Sequence, residues 1–566
     1  MLSQRTNLYI IYKNLADLLE AQMLSSAAPH PFIVRLLTVF GWEKNDLLAF
    51  IRGAHADLED KIIGGPGARK AITRPLEQYC HKIWLTSVDA PNFPPIDFLA
   101  GYFDMVRNHP PDWTHVFWSN NAEVVDFVNL RAIETKAKVL VNNIDTLHLG
   151  RLDRTVRSLV SDKKYVLAAD VLKFIVLDRF GGIYSDLGIC FDQSILQMAS
   201  AVDYSFVLAG NLFFQTSWVS LRRRSLLSTM FLAIIDNPEV LSPQIVLDES
   251  NVVSGGTEVH TFCGLGYTAC TLLFLPDNAS IFIFSPNSNH MSWRSQQSWY
   301  GSKPKHGNVL ISATKPTLIR SEFYKIFENE ACKSIKSFRI GKAYVEKLKT
   351  LVKLSRYFES NPTELCEYFR FNGSEKASSW HNYGFFYHFV LGRFRGVGCK
   401  VLEISDSRTL WGPASGEASR TPKGGTMMVW ETYLNATAFG AEIDRQEQRL
   451  NSLSYNVRVN GEQLSAITTL FDDASYDVII DNGFHDFESA KQLLAHVVGT
   501  GGLSARGIYF IESIPRNDIS KWEAFLGEIP NAGAIVSLPL KSNSVDNNIV
   551  IVHSLGGVYF DPSRGS

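Results

Sequence analysis

Apolar positions along the chain recur in two rhythms, one helical and one of short continuous runs. Near the N-terminus Leu8, Ile11, Leu15 and Leu18-Leu19 fall at helical spacing, and Ile33, Leu36-Leu37, Leu47-Leu48 and Ile51 continue the stripe. Helices are predicted over 1–76, broken by the Gly64-Gly65-Pro66-Gly67 turn. The run AADVLKFIVLDRFGGIYSDLGI, from Ala168 to Ile189, is the most informative segment. Ala168 to Phe180 is apolar except for Asp170, Lys173, Asp178 and Arg179, which predicts a buried helix. Asp170 and Lys173 stand at i and i+3 and share one face. Gly181-Gly182 stops the helix, Ile183 and Tyr184 open a strand, and Asp186 lies near its end.

Further along, Val401–Ile404, Thr437–Asp444, Tyr476–Gly483 and Gly507–Glu512 read as buried strands separated by helical stretches such as MMVWETYL. That alternation predicts a parallel sheet with ligands at the strand carboxyl ends. Phe323 to Phe371 is helical and locally basic, through Lys333, Lys336, Arg339, Lys342, Lys347, Lys349, Lys353 and Arg356. The expected organisation is a helical region 1–76, an α/β domain 77–322, a helical connector 323–378 and a second α/β domain 379–566.

Composition narrows the class. At 566 residues two or three cores are expected. A hydrophobic content of 45% and a net charge of -2 fit a globular chain and give no global argument for nucleic acid. The seven cysteines lack close framework spacing, which implies reduced thiols and a cytoplasmic location. The first residues carry charges inside their apolar run and make a poor signal peptide. No apolar run reaches membrane-spanning length. The N-terminal stripe reads as a packing collar or as a peripheral membrane or acceptor element. The basic stretch reads as a solvated helix face or as a contact for an anionic lipid carrier.

The Ala168–Ile189 segment has the layout of a nucleotide-sugar site, with a carboxylate at a strand end. It resembles the GT-A glycosyltransferases that include the yeast initiating mannosyltransferase and the clostridial glucosylating toxins. Their pattern is an Ala-rich helix with Asp and Arg three apart, then Gly-Gly-x-Tyr, then Asp-x-Asp. The resemblance implies that Asp170 binds sugar hydroxyls, that Lys173 takes the place of the usual Arg, and that Tyr184 and Asp186 line the donor. Lysine keeps the charge and loses the bidentate fork. Gly188 stands where the family has its second aspartate, a ligand of Mn²⁺ or Mg²⁺. Three readings stay open: the cation is held by Asp186 with phosphates and water, Asp192 reaches in, or transfer proceeds without metal or not at all. Trp84 resembles the tryptophan that lies against the base. Trp113–Asn121 resembles the second strand, and Val207–Asn211 the strand and turn after the metal motif. Ser298 and Trp299, within HMSWRSQQSW, resemble the element that closes over the diphosphate.

Residues 380–514 resemble class I S-adenosylmethionine methyltransferases, and within them the macrolide sugar O-methyltransferases such as the macrocin enzyme. The blocks LEIS, GGTMMVW, GAEID, Gly461-Glu462-Gln463, DNGFH and GIYFIES follow that family's order, after His381, Tyr383 and Tyr387. The resemblance implies a Rossmann-like domain with Glu403, Gly424, Gly425, Glu442, Asp444, Glu462 and Gln463 around the cofactor. It makes His485 the general base. Asn482, Glu512 and Ser513 occupy the family's Mg²⁺ positions, and only Glu512 keeps its charge. Ser405 replaces a glycine, and the loop from Ser405 to Lys423 is long.

The expectation is a bifunctional glycan-modifying enzyme. One domain would transfer a sugar from a nucleotide-sugar donor to a glycan or glycoconjugate hydroxyl, with retention. The other would O-methylate a sugar, with Asp186, Asp170 and His485 as the catalytic groups of the two sites. The alternatives are a protein-glycosylating effector whose C-terminal domain only recognises its target, and a non-catalytic scaffold with degenerate metal sites.

Overall fold

A computed structural model describes residues 75–150, 152–209, 213–237, 267–274, 281–284, 291–293, 334–374, 376–377, 381–396, 398–406, 425–444, 449–451, 459–460, 471, 475–483, 486–539 and 546–554. The expected helices of 1–74 lie outside these residues, as do Ser298, Trp299, Gly424, Glu462, Gln463, His485 and the long loop 407–424. The chain divides into two compact units, Met1–Ala68 with Arg74–Arg320, and Arg69–Thr73 with Ser321–Ser566. Each is α/β and built on its own mixed sheet.

The first unit carries β1 (Tyr79–Trp84), β2 (Thr114–Ser119), β3 (Val139–Asn143), β4 (Gly182–Ser185), β6 (Tyr204–Ala209), β7 (Phe213–Leu221) and β8 (Ile281–Phe284) in the order β3-β2-β1-β4-β7-β6-β8. Short strands β5 (Ile189–Phe191) and β9 (Met291–Trp293) pair beside it. β3, β2, β1 and β4 run parallel, and β7 runs antiparallel to β4. The chain winds outward from β1 to β3 and then returns to the other flank of β1. The carboxyl ends of β1 and β4 therefore form a switch point, where open α/β sheets leave a crevice.

The helix Tyr165–Phe180 leads into that point. Its residues from Leu167 to Leu177 are buried on nearly every side, which explains an apolar run with no amphipathic stripe. It ends at Gly181 (φ 70°), and Gly182 also has positive φ, 95°. A Cβ on Gly182 would collide with the Tyr79 carbonyl and one on Gly181 with the Glu77 carboxylate, so both places are closed to larger residues.

The second unit carries β10 (Ile335–Phe338), β11 (Lys400–Asp406), β12 (Thr437–Asp444), β13 (Arg449–Asn451), β14 (Val459–Asn460), β15 (Tyr476–Asn482), β16 (Leu503–Ile511), β17 (Gly533–Ser537) and β18 (Asn548–His553). Their order is β10-β17-β18-β16-β15-β11-β12-β13-β14. β12, β11, β15 and β16 are parallel, and β18 is inserted antiparallel between β16 and β17. The switch point here lies between β11 and β15.

Part of the expected connector belongs to this unit. Ile335–Phe338 pairs with β17 as an edge strand, and the helices Lys342–Ser360 and Glu364–Phe371 follow it. The basic stretch is partly consumed in folding: the Arg339 guanidinium donates to the Ile529 (2.7 Å) and Gly527 (3.2 Å) carbonyls and so closes the C-terminus of the helix Ile519–Glu528. Among the described residues no helix is long and apolar enough to cross a membrane. Cys80, Cys190, Cys270, Cys366 and Cys399 are free thiols.

Candidate functional site

Asp186 follows β4 at the switch point, and three elements fix it there. Beneath its turn, Lys82 of β1 donates to Ser185 Oγ (2.6 Å), the Asp186 carbonyl (2.8 Å) and the Ile189 carbonyl (2.6 Å). Lys82 is fully buried, and burial lowers its ammonium to about 8, against the opposing pull of Cys190 and Asp186. Next to it, His81 Nε2 donates to the Gly181 carbonyl (3.1 Å) and Nδ1 accepts from Trp118 Nε1 (3.3 Å). Burial lowers that imidazole to about 4, so it stays neutral and holds the helix end.

The helix Tyr165–Phe180 supplies the other wall. Lys173 bonds Asp170 Oδ1, donates to the Thr216 carbonyl at 2.7 Å, and lies 4.6 Å from the centre of the Tyr184 ring. Its Nζ is 4.0 Å from Asp186 Oδ1, which also accepts from the Tyr184 hydroxyl at 2.8 Å. Asp170, Lys173, Tyr184 and Asp186 therefore form one cluster around a single ammonium. The Asp170 and Lys173 side chains are 7% and 2% exposed, while Asp186 is 51% exposed. The surrounding protein pushes the Asp186 carboxyl up, Lys173 pulls it down, and the solvent at its open side moderates both. Asp170 Oδ2 is buried and has no partner among the described residues.

That orphan oxygen is a buried acceptor still lacking a donor. The donor set for a divalent cation is smaller. Gly188 offers no side chain, and Asp192 is the N-cap of the helix Gln193–Ser200, accepting from the Ser194 (2.9 Å) and Ile195 (3.4 Å) amides. Within the cluster, Asp186 is the carboxylate that reaches solvent. Mg²⁺ and Mn²⁺ accept a single protein carboxylate when substrate phosphates and water complete the shell, so the residues fit such an ion only in company with a diphosphate. Trp84 is half-buried at the carboxyl end of β1, with its indole N–H donating to the Asn92 carbonyl at 2.7 Å.

Sequence reasoning missed Lys82. The signal was available: a lysine in HKIW, two residues from Cys80 and two from Trp84 on one strand face, is a buried cation that needs acceptors.

In the second unit the switch point holds a different arrangement. Lys376 bonds Glu512 Oε2 and stands 3.4 Å from Glu403 Oε1. Tyr387 OH donates to Glu512 Oε1 (2.5 Å) and Trp430 Nε1 to Glu403 Oε2 (2.6 Å). Lys376 is 2% exposed and the two carboxylates 1% each. Burial raises the Glu512 carboxyl, and Lys376 opposes that rise. Both carboxylates are spent on an internal ammonium and on aromatic donors. This set does not fit a divalent cation, and Glu403 is engaged by Lys376 and Trp430. Asn482, at the end of β15, is buried with its Oδ1 unpartnered among the described residues. Ser513 sits just past β16 with φ 56°, its amide donating to Tyr383 OH at 3.2 Å. A shallow hollow at this end is lined by Asp486, Glu512, Ser513, Asp518 and Trp522. Gly425 opens the helix Gly425–Leu434 with φ 37°. Glu442 and Asp444 end β12, whose backbone pairs with β13 there.

Comparisons with known proteins give one family match, which falls in the first unit. A search of curated proteins gave no match. Among solved structures the chain is similar to the PaToxG glycosyltransferase, at 14% identity and a TM-score of 0.28 over 43% of this chain and 80% of that one. It is similar to the catalytic domain of alpha-toxin from Clostridium novyi, at 10% identity and a TM-score of 0.25 over 47% of this chain and 73% of that one. It is also similar to the glycosyltransferase GlyE of Streptococcus pneumoniae, at 6% identity and a TM-score of 0.25 over 75% of this chain and 90% of that one. Residues 97–205 match the model of a family described as the glycosyltransferase sugar-binding region containing the DXD motif. The matched span holds Asp170, Lys173, Tyr184 and Asp186 together, and the family it matches is one of glycosyltransferases.

Proposed function

We propose that the first unit transfers a sugar from a nucleotide diphosphate donor to an acceptor hydroxyl, with retention of anomeric configuration. The observation that carries this reading is the unpartnered, buried Asp170 Oδ2 beside the half-exposed Asp186 at the switch point. Asp170 accepts from hydroxyls of the donor sugar through Oδ2, while its other oxygen stays tied to Lys173. Lys173 sets the spacing of the two carboxylates and pulls the Asp186 carboxyl down against burial. Asp186 faces the diphosphate side, where it would hold Mg²⁺ or Mn²⁺. Such a cation, when bound, supplies charge stabilisation for the departing diphosphate. The bond from the anomeric carbon to the diphosphate breaks, a bond to the acceptor oxygen forms, and the acceptor proton passes to the departing phosphate. Trp84 would lie against the base, and Ser298 and Trp299 would contact the diphosphate.

Hydrolysis of a panel of UDP-, GDP- and TDP-sugars, with and without Mn²⁺, tests the reading. Turnover of one donor supports it, and turnover of none leaves the scaffold alternative. Sugar transfer onto a protein rather than a glycan would favour the effector alternative.

A second reading concerns the second unit, as an S-adenosylmethionine-dependent sugar O-methyltransferase. The observation that favours it is the strand order, with parallel β12-β11-β15-β16 and β18 reversed between β16 and β17, together with the strained Ser513 at the strand ends. S-adenosylmethionine, when bound, supplies an electrophilic methyl group. His485 takes the acceptor hydroxyl proton, and Asn482 orients that hydroxyl. Because Lys376 holds Glu512 and Glu403, this chemistry is metal-independent. Methyl transfer from labelled cofactor, insensitive to chelation, is the expected result. No incorporation onto any glycan would remove this reading and leave the first intact.

A further inference from the structure

We propose that Cys80, His109 and His115 hold a Zn²⁺ ion beneath the helix Ile96–Asn108, at the end of the sheet away from Asp186. Cys80 and His115 are register partners on parallel β1 and β2, so their side chains leave the same sheet face. His109 caps the helix that covers that face. The ligand atoms of the three residues all lie within 4.8 Å of one another. The residues are 2%, 7% and 2% exposed.

One pair inside the cluster has the spacing of a metal bite. His109 Nδ1 and His115 Nε2 are 3.2 Å apart. Two imidazole nitrogens on a tetrahedral Zn²⁺ stand about 3.4 Å from each other. His109 Nε2 donates to the Phe191 carbonyl at 2.8 Å, which fixes the tautomer and turns the Nδ1 lone pair inward. A ring N–H held by a backbone carbonyl is the usual outer support of a metal-bound histidine. The fourth position has a candidate too. The hydroxyl of Tyr102, a residue with 0% exposure, has no partner among the described residues, and its ring centre is 6.3 Å from that of His115.

The donor chemistry agrees. One thiolate and neutral imidazoles suit a borderline-soft cation rather than Mg²⁺. Loading releases the Cys80 thiol proton as the sulfur–zinc bond forms. Lys82 lies on the same strand face, but its ammonium is turned to Ser185, Asp186 and Ile189. The ion ties β1, β2, the helix Ile96–Asn108 and, through Phe191, β5. It is a structural staple on the strand that anchors the Asp186 turn.

The test is metal analysis of the full chain after equilibration with ZnCl₂ and desalting. About one zinc per chain is expected, retained by Asp186→Ala and lost from Cys80→Ser and His109→Asn. If those variants fold poorly, the cobalt-substituted wild-type chain should show a thiolate-to-cobalt charge-transfer band in the ultraviolet. Substoichiometric zinc in the wild type, zinc that survives Cys80→Ser, zinc lost from Asp186→Ala, or cobalt without a thiolate band would each overturn the assignment.

Discussion

Replacing Lys173 by Met removes the one ammonium shared by the donor-site carboxylates. The Lys173 and Asp170 side chains are 2% and 7% exposed, so the loss strands a carboxylate in the protein interior. Breaking a buried pair from one side costs about 3–5 kcal/mol. The Thr216 carbonyl, bonded at 2.7 Å, also loses its donor, at about 1–3 kcal/mol. These terms overlap, and the pair term sets the scale at about 3–5 kcal/mol, a large share of a domain's usual 5–15 kcal/mol. The double variant Asp170→Asn, Lys173→Met should recover much of the loss, because no buried charge is left unpaired. Activity has its own signature. Lys173 pulls the Asp186 carboxyl down against burial, so its removal raises that carboxyl further. The Asp186 anion is then lost at higher pH, and the acid limb of donor hydrolysis moves up the pH scale. Lys173→Arg keeps the charge and should leave the limb in place. The measurements are urea unfolding of the first unit's transition and the pH profile of donor hydrolysis. Wild-type stability in Lys173→Met, or an unmoved acid limb, would refute the reasoning.

Lys376→Met should destabilise the second unit by about 3–5 kcal/mol, because Glu403 and Glu512 are left buried without their cation, and adding Glu512→Gln should restore part of it. A denaturation series that shows no difference between the variants would contradict the network. His388 and His553 are held well below their usual 6.5 by burial first, and then by Arg395 for His388 and by Arg393 and Lys347 for His553. A depressed histidine favours the folded state above its unfolded value and loses that advantage as pH falls below it, because the unfolded chain takes up the protons. From pH 7 to 5.5 the second unit should lose about 1.2 kcal/mol per histidine, and a flat stability profile over that window would contradict it. Gly188→Asp, which restores a second carboxylate beside Asp186, should steepen the Mn²⁺ dependence of donor turnover, and an unchanged metal response would place the cation elsewhere.

The helix, the Gly-Gly turn and the following strand were legible because each residue obeys a local rule. A helix buried all round has no polar stripe, and two adjacent glycines with positive φ mark a turn that admits no Cβ. Asp192 was not legible: its spacing left it open as an ion ligand, and the structure makes it the N-cap of the helix Gln193–Ser200, with Oδ1 accepting from the Ser194 and Ile195 amides. The parts that were not legible depend on distant contacts. Lys376 precedes Glu403 and Glu512 by spans that no periodicity connects, and only the sheet order brings them together. Ile335–Phe338 is too short to announce itself as a strand, and its pairing with Ala534 and Ile535 makes it one. The Cys80–His109–His115 cluster joins two strands and a helix end, with no ligand spacing of the kind that flags zinc in a sequence. The expected roles of Ser298, Trp299, Gly424, Glu462, Gln463 and His485 fall outside the described residues.

The most direct test of the central claim is donor hydrolysis by the full chain against its Asp186→Ala and Asp170→Asn variants. The account predicts turnover of at least one nucleotide-sugar by the wild type, abolished in the first variant and sharply reduced in the second, with both folded. Hydrolysis at the wild-type rate by Asp186→Ala would contradict it.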